Sequence, residues 1–149
     1  MDRQSPPPLP CLCATLRRGS RALTAVYEQA LLPFAVSASQ FTILQALAQV
    51  GELSQWQLGA VLAMDSTTLT RTLKIMRRHR WIAERRGKDR RERHLRLAAR
   101  GEQLLERATP IWEKTQSRLQ QQLGSGDWKQ LFQLTDRITE ILKTQKESL

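Results

Sequence analysis

Between Ser54 and His79, two helical segments follow one another with almost no linker. Ser54 is well suited to cap a segment from Gln55 to Ala63, and Asp65 is a good N-cap for a second segment that ends at about His79. A link this short obliges the two helices to pack as neighbours. The spacing therefore predicts a helix-turn-helix unit, and this unit constrains the fold more than any other feature of the chain.

The second helix of this unit has two different faces. At 100° per residue, Leu69, Leu73 and Met76 fall on one narrow apolar stripe. Hydroxyl and cationic side chains fall on the opposite side. These residues are Thr67, Thr70, Arg71, Lys74 and Arg78. The sequence thus predicts a helix with an apolar back for a protein core and a hydrogen-bonding, positively charged front for a partner.

The positive charge of the chain is concentrated in one window. The chain has 24 Lys and Arg residues against 14 Asp and Glu residues, a formal net charge of +10. Residues 71–100 hold 13 of the basic residues and only three of the acidic ones, so this window carries the whole excess. Solvated helix faces usually mix the two signs, and such a concentration therefore indicates a surface that binds a polyanion.

The chain before the helix-turn-helix unit predicts a leader and two helices. Four prolines make residues 1–10 a disordered, extended leader, because proline cannot continue a helix. Apolar spacing predicts a long helix over residues 11–32 and a shorter one that begins at Ser37 or Ser39 and is closed by Gly51.

The chain after the unit predicts a hairpin and two long helices. Residues 81–86 and 94–97 have the pattern of short strands, and the charged stretch between them predicts a hairpin with a basic tip. A long helix is expected over residues 101–123, with Pro110 able to bend it, and Asp127 is expected to cap the last helix. The fold class is therefore mostly α with a small β-hairpin wing, the winged helix-turn-helix arrangement.

This arrangement suits double-stranded DNA. A recognition helix fits the major groove, where Arg and Lys bond guanine edges and Thr bonds a base or touches a thymine methyl group. A basic hairpin can follow the backbone and place an arginine in the narrow minor groove, whose negative potential attracts it. The alternative from the same charge is a protein that binds nucleic acid without sequence preference, or an architectural protein.

Two short motifs add a family resemblance. Residues 89–91 (Asp-Arg-Arg) are followed by Leu97 and Gly101, and residues 65–70 are Asp-Ser-Thr-Thr-Leu-Thr. In this order and spacing they resemble the wing signature and the recognition-helix opening of the MarR family of transcriptional regulators. The resemblance covers nearly the whole chain after the leader. The family's Thr after the Leu is Ala98 here, which removes an expected N-cap for the next helix.

The resemblance implies roles for individual residues. Arg91 would enter the minor groove at the wing tip, and Asp89 would orient it through a carboxylate–guanidinium bond, although Asp89 is also an ordinary turn-forming residue. We therefore expect a regulator that recognises a specific DNA sequence. The candidate DNA-contacting residues are Ser66, Thr67, Thr70, Arg71, Lys74, Arg78, Asp89, Arg90, Arg91 and Arg93.

The resemblance also implies a homodimer. Residues 11–149 would form one domain, in which residues 11–36 and 102–147 are dimerisation helices and residues 37–101 form the winged-helix DNA-binding lobe. The apolar residues of the terminal helices agree, because these helices are too slender to form a core alone. A two-fold dimer of this kind would bind a pseudo-palindromic operator, and we expect it to act as a repressor that a signal releases.

One candidate signal is oxidation of Cys13. The segment from Cys13 to Tyr27 resembles the first helix of the organic-hydroperoxide-sensing branch of the family, and Arg17 lies one turn away, where it can stabilise a thiolate. The branch's further tyrosines are missing, so a packing role for Cys13 stays open. Cys11 is a second redox candidate. The two thiols would point to opposite sides of a helix, which leaves a bridge between chains but no natural internal disulfide or shared metal site.

The other candidate signal is a small lipophilic ligand. It would bind between the dimer helices and the DNA-binding lobe, where Trp56, Trp112 and Arg17 or Arg18 are residue types that such a pocket uses.

Enzymatic chemistry is not indicated. His79 and His94 have no Cys or carboxylate at metal-ligand spacing, and we find neither a Gly-rich phosphate loop nor a Gly-x-Ser-x-Gly elbow. We therefore predict no enzyme, no cofactor and no metal. No apolar window is long enough for a membrane span and the N-terminus has no apolar signal core, so a cytoplasmic protein is expected.

Overall fold

The structure, a computed structural model, describes residues 10–87 and 93–147. It is mostly helical with a small antiparallel β-wing, as predicted, and the sheet has three strands. A short 3-10 turn, Leu32–Phe34, follows the first helix. The helices and strands are α1 (Leu12–Leu31), α2 (Ala38–Val50), β1 (Leu53–Ser54), α3 (Gln55–Leu62), α4 (Ser66–Arg78), β2 (Ile82–Arg86), β3 (Arg93–Leu97), α5 (Ala99–Leu123) and α6 (Ser125–Glu147).

The helix starts predicted around the helix-turn-helix unit are confirmed. Ser37 and Ser54 each form a capping box, in which the hydroxyl accepts a bond from the third helical residue and that residue's glutamine side chain bonds back. Asp65 accepts bonds from the backbone N–H of Thr68 at 2.9 Å and from its hydroxyl at 2.6 Å. These bonds lower the pKa of Asp65, because they stabilise its charged form.

The sheet contains one strand that the sequence did not indicate. Its order is β1-β3-β2, with β3 in the centre, and Ser54 of β1 lies opposite His94 of β3. A strand of two residues is too short to show the alternation by which strands are found. Ser54 therefore belongs to the sheet and caps α3 at the same time.

The hydrophobic core joins the helix-turn-helix unit to the sheet. The apolar stripe of α4 is almost fully buried, as predicted. Phe41 and Leu44 of α2, Leu58 of α3 and Leu95 of β3 are equally buried in the same cluster, and Ala108 of α5 completes it. This packing holds α4 by its back and leaves its front exposed.

Two helix boundaries differ from the expectation. α5 begins at Ala99, where the backbone N–H groups of Gly101 and Glu102 donate to the carbonyl of Ala98, and it continues through Pro110. The expected cap of the last helix was wrong. α6 begins at Ser125, so Asp127 lies in its first turn, where a carboxylate still favours the helix dipole.

The chain divides into two compact units, Met1–Trp112 and Glu113–Leu149. The second unit contains the end of α5 and α6, and in it the rings of Trp128 and Phe132 lie 5.3 Å apart. The division into leader, dimerisation helices and DNA-binding lobe uses other boundaries and stays a prediction.

Within residues 10–87 and 93–147, no single helix is both long and apolar enough to cross a bilayer. Only Leu12–Phe34 and Ala38–Val50 taken together, across a bend of 78°, reach the required length and composition.

Candidate nucleic-acid interface

The exposed face of α4 carries all the predicted recognition-helix residues. Leu69, Leu73 and Met76 fix the rotation of the helix by their burial, so the residues on the other side project away from the core. Six of the exposed polar residues of α4 form what we call the α4 front. They are Ser66, Thr67, Thr70, Arg71, Lys74 and Arg78.

A side chain from α3 reaches this front. The side-chain amide of Gln55 donates to the hydroxyl oxygen of Thr70 at 2.9 Å, which ties the first residue of α3 to the middle of α4. Sequence reasoning missed Gln55, because the contact joins residues 15 positions apart and has no periodic signal. The bond limits the rotation of the Thr70 hydroxyl in the middle of the α4 front.

Glu84 of β2 ties α4 to the hairpin. One carboxylate oxygen accepts a bond from Arg77 in the last turn of α4, and the other accepts one from Arg93 of β3 at 2.6 Å. Partial burial raises the pKa of Glu84, but the bonds and charges of Arg93 and Arg77 outweigh it and lower the pKa overall. Arg93, a predicted DNA contact, is thus exposed but engaged by a protein carboxylate.

A second ion-pair cluster lies within the sheet region. Arg85 of β2 donates to both carboxylate oxygens of Glu52, at 3.0 and 2.6 Å. His94 of β3 places its Nδ1 atom 3.3 Å from the same carboxylate. The hydrogen bond from Arg85 is the main cause that lowers the pKa of Glu52. This cluster holds the segment between α2 and β1 against the two hairpin strands.

The remaining wing candidates fall at the hairpin tip of the sequence. Asp89, Arg90 and Arg91 lie outside the described residues, and their roles stay predictions. On the described strands, Arg85, Arg86, Arg93 and Arg96 are exposed. The hairpin strands therefore add cations beside those of the α4 front.

Both cysteines are free and exposed at the start of α1. Arg17 lies one turn after Cys13, with its Nη2 atom 3.9 Å from the thiol sulfur, as the spacing predicted. Cys11 precedes the helix in an extended conformation. Within the described ranges, no three His, Cys, Asp or Glu side chains lie close enough to hold a metal ion.

An open groove of about 510 Å³ lies between α2, β3 and α5 in the first unit. None of the predicted ligand-pocket residues lines it: Trp56 is 80% exposed, and Trp112 packs near Phe41 with ring centroids 6.1 Å apart. Two carboxylates in the lining disfavour an anionic ligand. The lining residues are Ala48, Leu97, Glu102, Leu105, Glu106, Thr109 and Pro110.

The short helix α3 is followed by α4, which has a buried apolar side and an exposed polar side, and then by a basic hairpin. This order of elements defines a winged helix-turn-helix protein. Residues 36–92 match the model of the MarR family. The chain is 28% identical over 91 residues to the uncharacterized HTH-type transcriptional regulator YwoH of Bacillus subtilis, a match that covers 61% of this chain and 66% of that protein, just under two thirds of its length.

Solved structures of transcriptional regulators are similar to this chain over nearly its full length. The crystal structure of the M. tuberculosis transcriptional regulator MosR in complex with DNA has 29% identity and a TM-score of 0.82, and covers 90% of this chain and 97% of that one. A mutant of MarR from E. coli complexed with operator DNA has 19% identity and a TM-score of 0.77, and covers 85% of this chain and 92% of that one; this likeness shows the shared fold. The match over residues 36–92 and the likeness to a solved transcriptional regulator of the same fold confirm the predicted resemblance to the MarR family.

Proposed function

We propose that this protein regulates transcription by binding a specific double-stranded DNA sequence as a homodimer. The observation that carries the proposal is the α4 front, where three hydroxyl residues are followed by three cations on a helix held by its buried back. The cations are Arg71, Lys74 and Arg78. Such a face offers bidentate donors to guanine and hydroxyl contacts to other bases in the major groove. The likeness to DNA-bound MosR supports the same use of the fold.

The hairpin would contribute mainly backbone and minor-groove contacts. Arg86 and Arg96 are exposed strand cations suited to phosphates, and Arg91 is the candidate for the minor groove. Phosphate contacts position a protein on DNA, whereas base contacts specify the sequence. The proposal therefore assigns sequence preference to α4 and general affinity to the hairpin.

Fluorescence anisotropy with a duplex from upstream of the protein's own gene, against a scrambled duplex at several salt concentrations, tests this function. Specific regulators bind their sites about 10³-fold or more tightly than other DNA. We expect a clear preference that persists as salt rises. Equal affinity for both duplexes, lost equally with salt, would instead indicate the alternative function of general nucleic-acid binding.

Dimerisation is proposed from exposed apolar residues on the terminal helices. Leu12, Leu16 and Leu23 of α1 are exposed, and in the second unit Phe132 and Leu142 of α6 are about half exposed. Monomeric proteins rarely leave such rows of large apolar side chains in water. A second copy of the chain would bury them and would bring two α4 helices to the half-sites of a pseudo-palindrome.

Phe132→Glu is expected to shift the protein from dimer toward monomer, because a carboxylate without a partner is costly to bury at an interface. Analytical ultracentrifugation of both proteins over a range of concentrations measures the change. Lys129→Glu on the exposed surface of the same helix is the control for added negative charge. A Phe132 variant that dimerises as strongly as the Lys129 variant would contradict this interface.

The signal we propose first is oxidation of Cys13. The exposure of the Cys13 thiol supports the proposal, since a peroxide can reach the sulfur, and the guanidinium of Arg17 lies beside it. The sulfur, reacting as the thiolate, would attack the terminal oxygen of an organic hydroperoxide and break the O–O bond. The sulfur then becomes a sulfenic acid, and the departing alkoxide takes a proton from water to become an alcohol.

We therefore expect cumene hydroperoxide to weaken operator binding by at least about tenfold, a change of about 1.4 kcal/mol, and a reductant to restore it. Anisotropy before and after each addition measures the effect. Cys13→Ser should remove the response and Cys11→Ser should keep it. Wild-type binding that is unaffected by peroxide would leave Cys13 as a packing residue and would favour a small lipophilic ligand as the signal.

Three further expectations belong to the same proposal. The protein would act as a repressor, would have no enzymatic activity and would act in the cytoplasm. The relatives are named as transcriptional regulators, which supports the second of these expectations. A reporter gene placed behind the bound duplex tests the first, since expression should rise when the protein is absent.

A further inference from the structure

Glu84 contacts two elements that the proposed function uses separately. Its Oε2 atom accepts a bond from Nη1 of Arg77 at the end of α4, and its Oε1 atom accepts a bond from Nη1 of Arg93 on β3. Each carboxylate oxygen thus serves a different element. Because Glu84 itself lies on β2, three elements meet at this one side chain.

The side chain of Glu84 is largely shielded from solvent, so it is poorly placed to contact DNA itself. Its side chain is 18% exposed, against 31% for Arg77 and 60% for Arg93. A carboxylate at this position lowers the affinity for a polyanion, because its charge offsets cations in the most basic window of the chain. A contribution to binding specificity, rather than to affinity, would explain why a carboxylate is present there.

The Glu52 cluster provides a contrast in the same region. Glu52 binds Arg85 and lies beside His94, and both partners are on the hairpin strands. Among the described residues, the hydrogen bonds and ion pairs of Glu52 join it to the hairpin strands and none reaches α4. Glu52 and Glu84 carry the same charge and are both partly buried, with side chains 28% and 18% exposed, but of the two it is Glu84 that connects the hairpin with α4.

We propose that Glu84 is a positioning residue that fixes the hairpin relative to α4 and so determines operator specificity. The proposal rests on the proposed function. A protein that contacts two grooves at once needs a fixed spacing between the contacting elements, since base contacts depend on placement within a fraction of an ångström. Two charge-assisted bonds to one carboxylate supply a rigid link of this kind.

The test compares Glu84→Gln with Glu52→Gln, which removes the same charge without touching α4. The Kd values for the operator duplex and for the scrambled duplex are measured by anisotropy, and their ratio is the readout. We expect Glu84→Gln to lower the ratio at least about tenfold while its affinity for scrambled DNA stays equal or rises, because one negative charge is lost. Glu52→Gln makes the same charge change but leaves the contact between Glu84 and α4 intact, so it should keep the ratio within about threefold.

Arg77→Gln breaks the same link from the side of α4 and serves as the second variant. It removes a positive charge, so its affinity for scrambled DNA should fall where that of Glu84→Gln does not. Both variants should nevertheless lose specificity. Circular dichroism and thermal melting establish that each variant is folded, and a merely structural role would lower the melting temperature without moving the ratio in folded protein.

Two outcomes distinguish a failure of the positioning role from a failure of the proposed function. If the wild-type protein prefers its operator and both Glu84→Gln and Arg77→Gln keep that preference, the positioning role is wrong and the proposed function stands. If the wild-type protein has no operator preference, the proposed function fails, and the positioning role falls with it.

Discussion

Gly101→Ala is expected to lower the free energy of unfolding by about 3 kcal/mol or more, because the site has no room for a side chain. A Cβ atom at Gly101 would lie 2.0 Å from the carbonyl oxygen of Trp81 and 2.9 Å from its carbonyl carbon. These are backbone atoms, which cannot turn aside as a flexible side chain could. The same carbonyl accepts a bond from the backbone N–H of Ala98 at 3.0 Å, so moving it also disturbs the start of α5.

Urea unfolding followed by circular dichroism measures the loss. Gly126→Ala is the matched control, since a Cβ atom there meets nothing within 4 Å. In the first turn of α6 this change is expected to be neutral or slightly stabilising, by up to about 1 kcal/mol. Equal stability of the two variants would mean that α5 and the chain at Trp81 do not approach as closely as described.

Arg71→Ala is expected to reduce operator affinity by roughly 5- to 150-fold, the range of one bidentate base contact worth about 1–3 kcal/mol. Arg71 lies on the α4 front, and the buried stripe of α4 prevents the helix from rotating to replace it. Affinity for scrambled DNA should fall much less, because there only one attraction to phosphate is lost. The ratio of the two affinities therefore falls.

Arg91→Ala provides the contrast, since its predicted place is the wing tip. It should weaken binding to both duplexes to a similar degree, and it should change the salt dependence of both. Anisotropy titrations of the two variants at three or more salt concentrations distinguish the effects. Similar losses on every duplex for both variants would contradict the division of work between α4 and the hairpin.

Local signals account for what the sequence predicted well. The starts of α2, α3 and α4 could be predicted because a capping Ser or Asp and its partner lie three residues apart. The α4 front followed from the same local periodicity. The start of α6 was misplaced because Gly124, Ser125 and Gly126 together indicate a turn, whereas only Gly124 takes a positive φ, of 79°.

Contacts between distant parts of the chain could not be predicted. Gln55 meets Thr70 and Glu84 meets Arg77 and Arg93 only after α3, α4 and the hairpin have packed. Strand β1 was missed for a related reason, since two residues become a strand only beside β3. Such links depend on tertiary placement, and neither composition nor periodicity records them.

Ser54 belongs to strand β1 and also caps helix α3, and this has a consequence for the proposed binding of DNA. This buried residue is the last of β1 and the cap of α3, so no flexible joint separates the sheet from the helix-turn-helix unit. The hairpin strands are therefore ordered against the helices before any DNA is present. A binder whose parts are already ordered loses less conformational entropy when it associates. With the proposed function, the protein would thus compare successive stretches of duplex with a preformed surface, and a mismatch in either groove would weaken the contacts of both elements together.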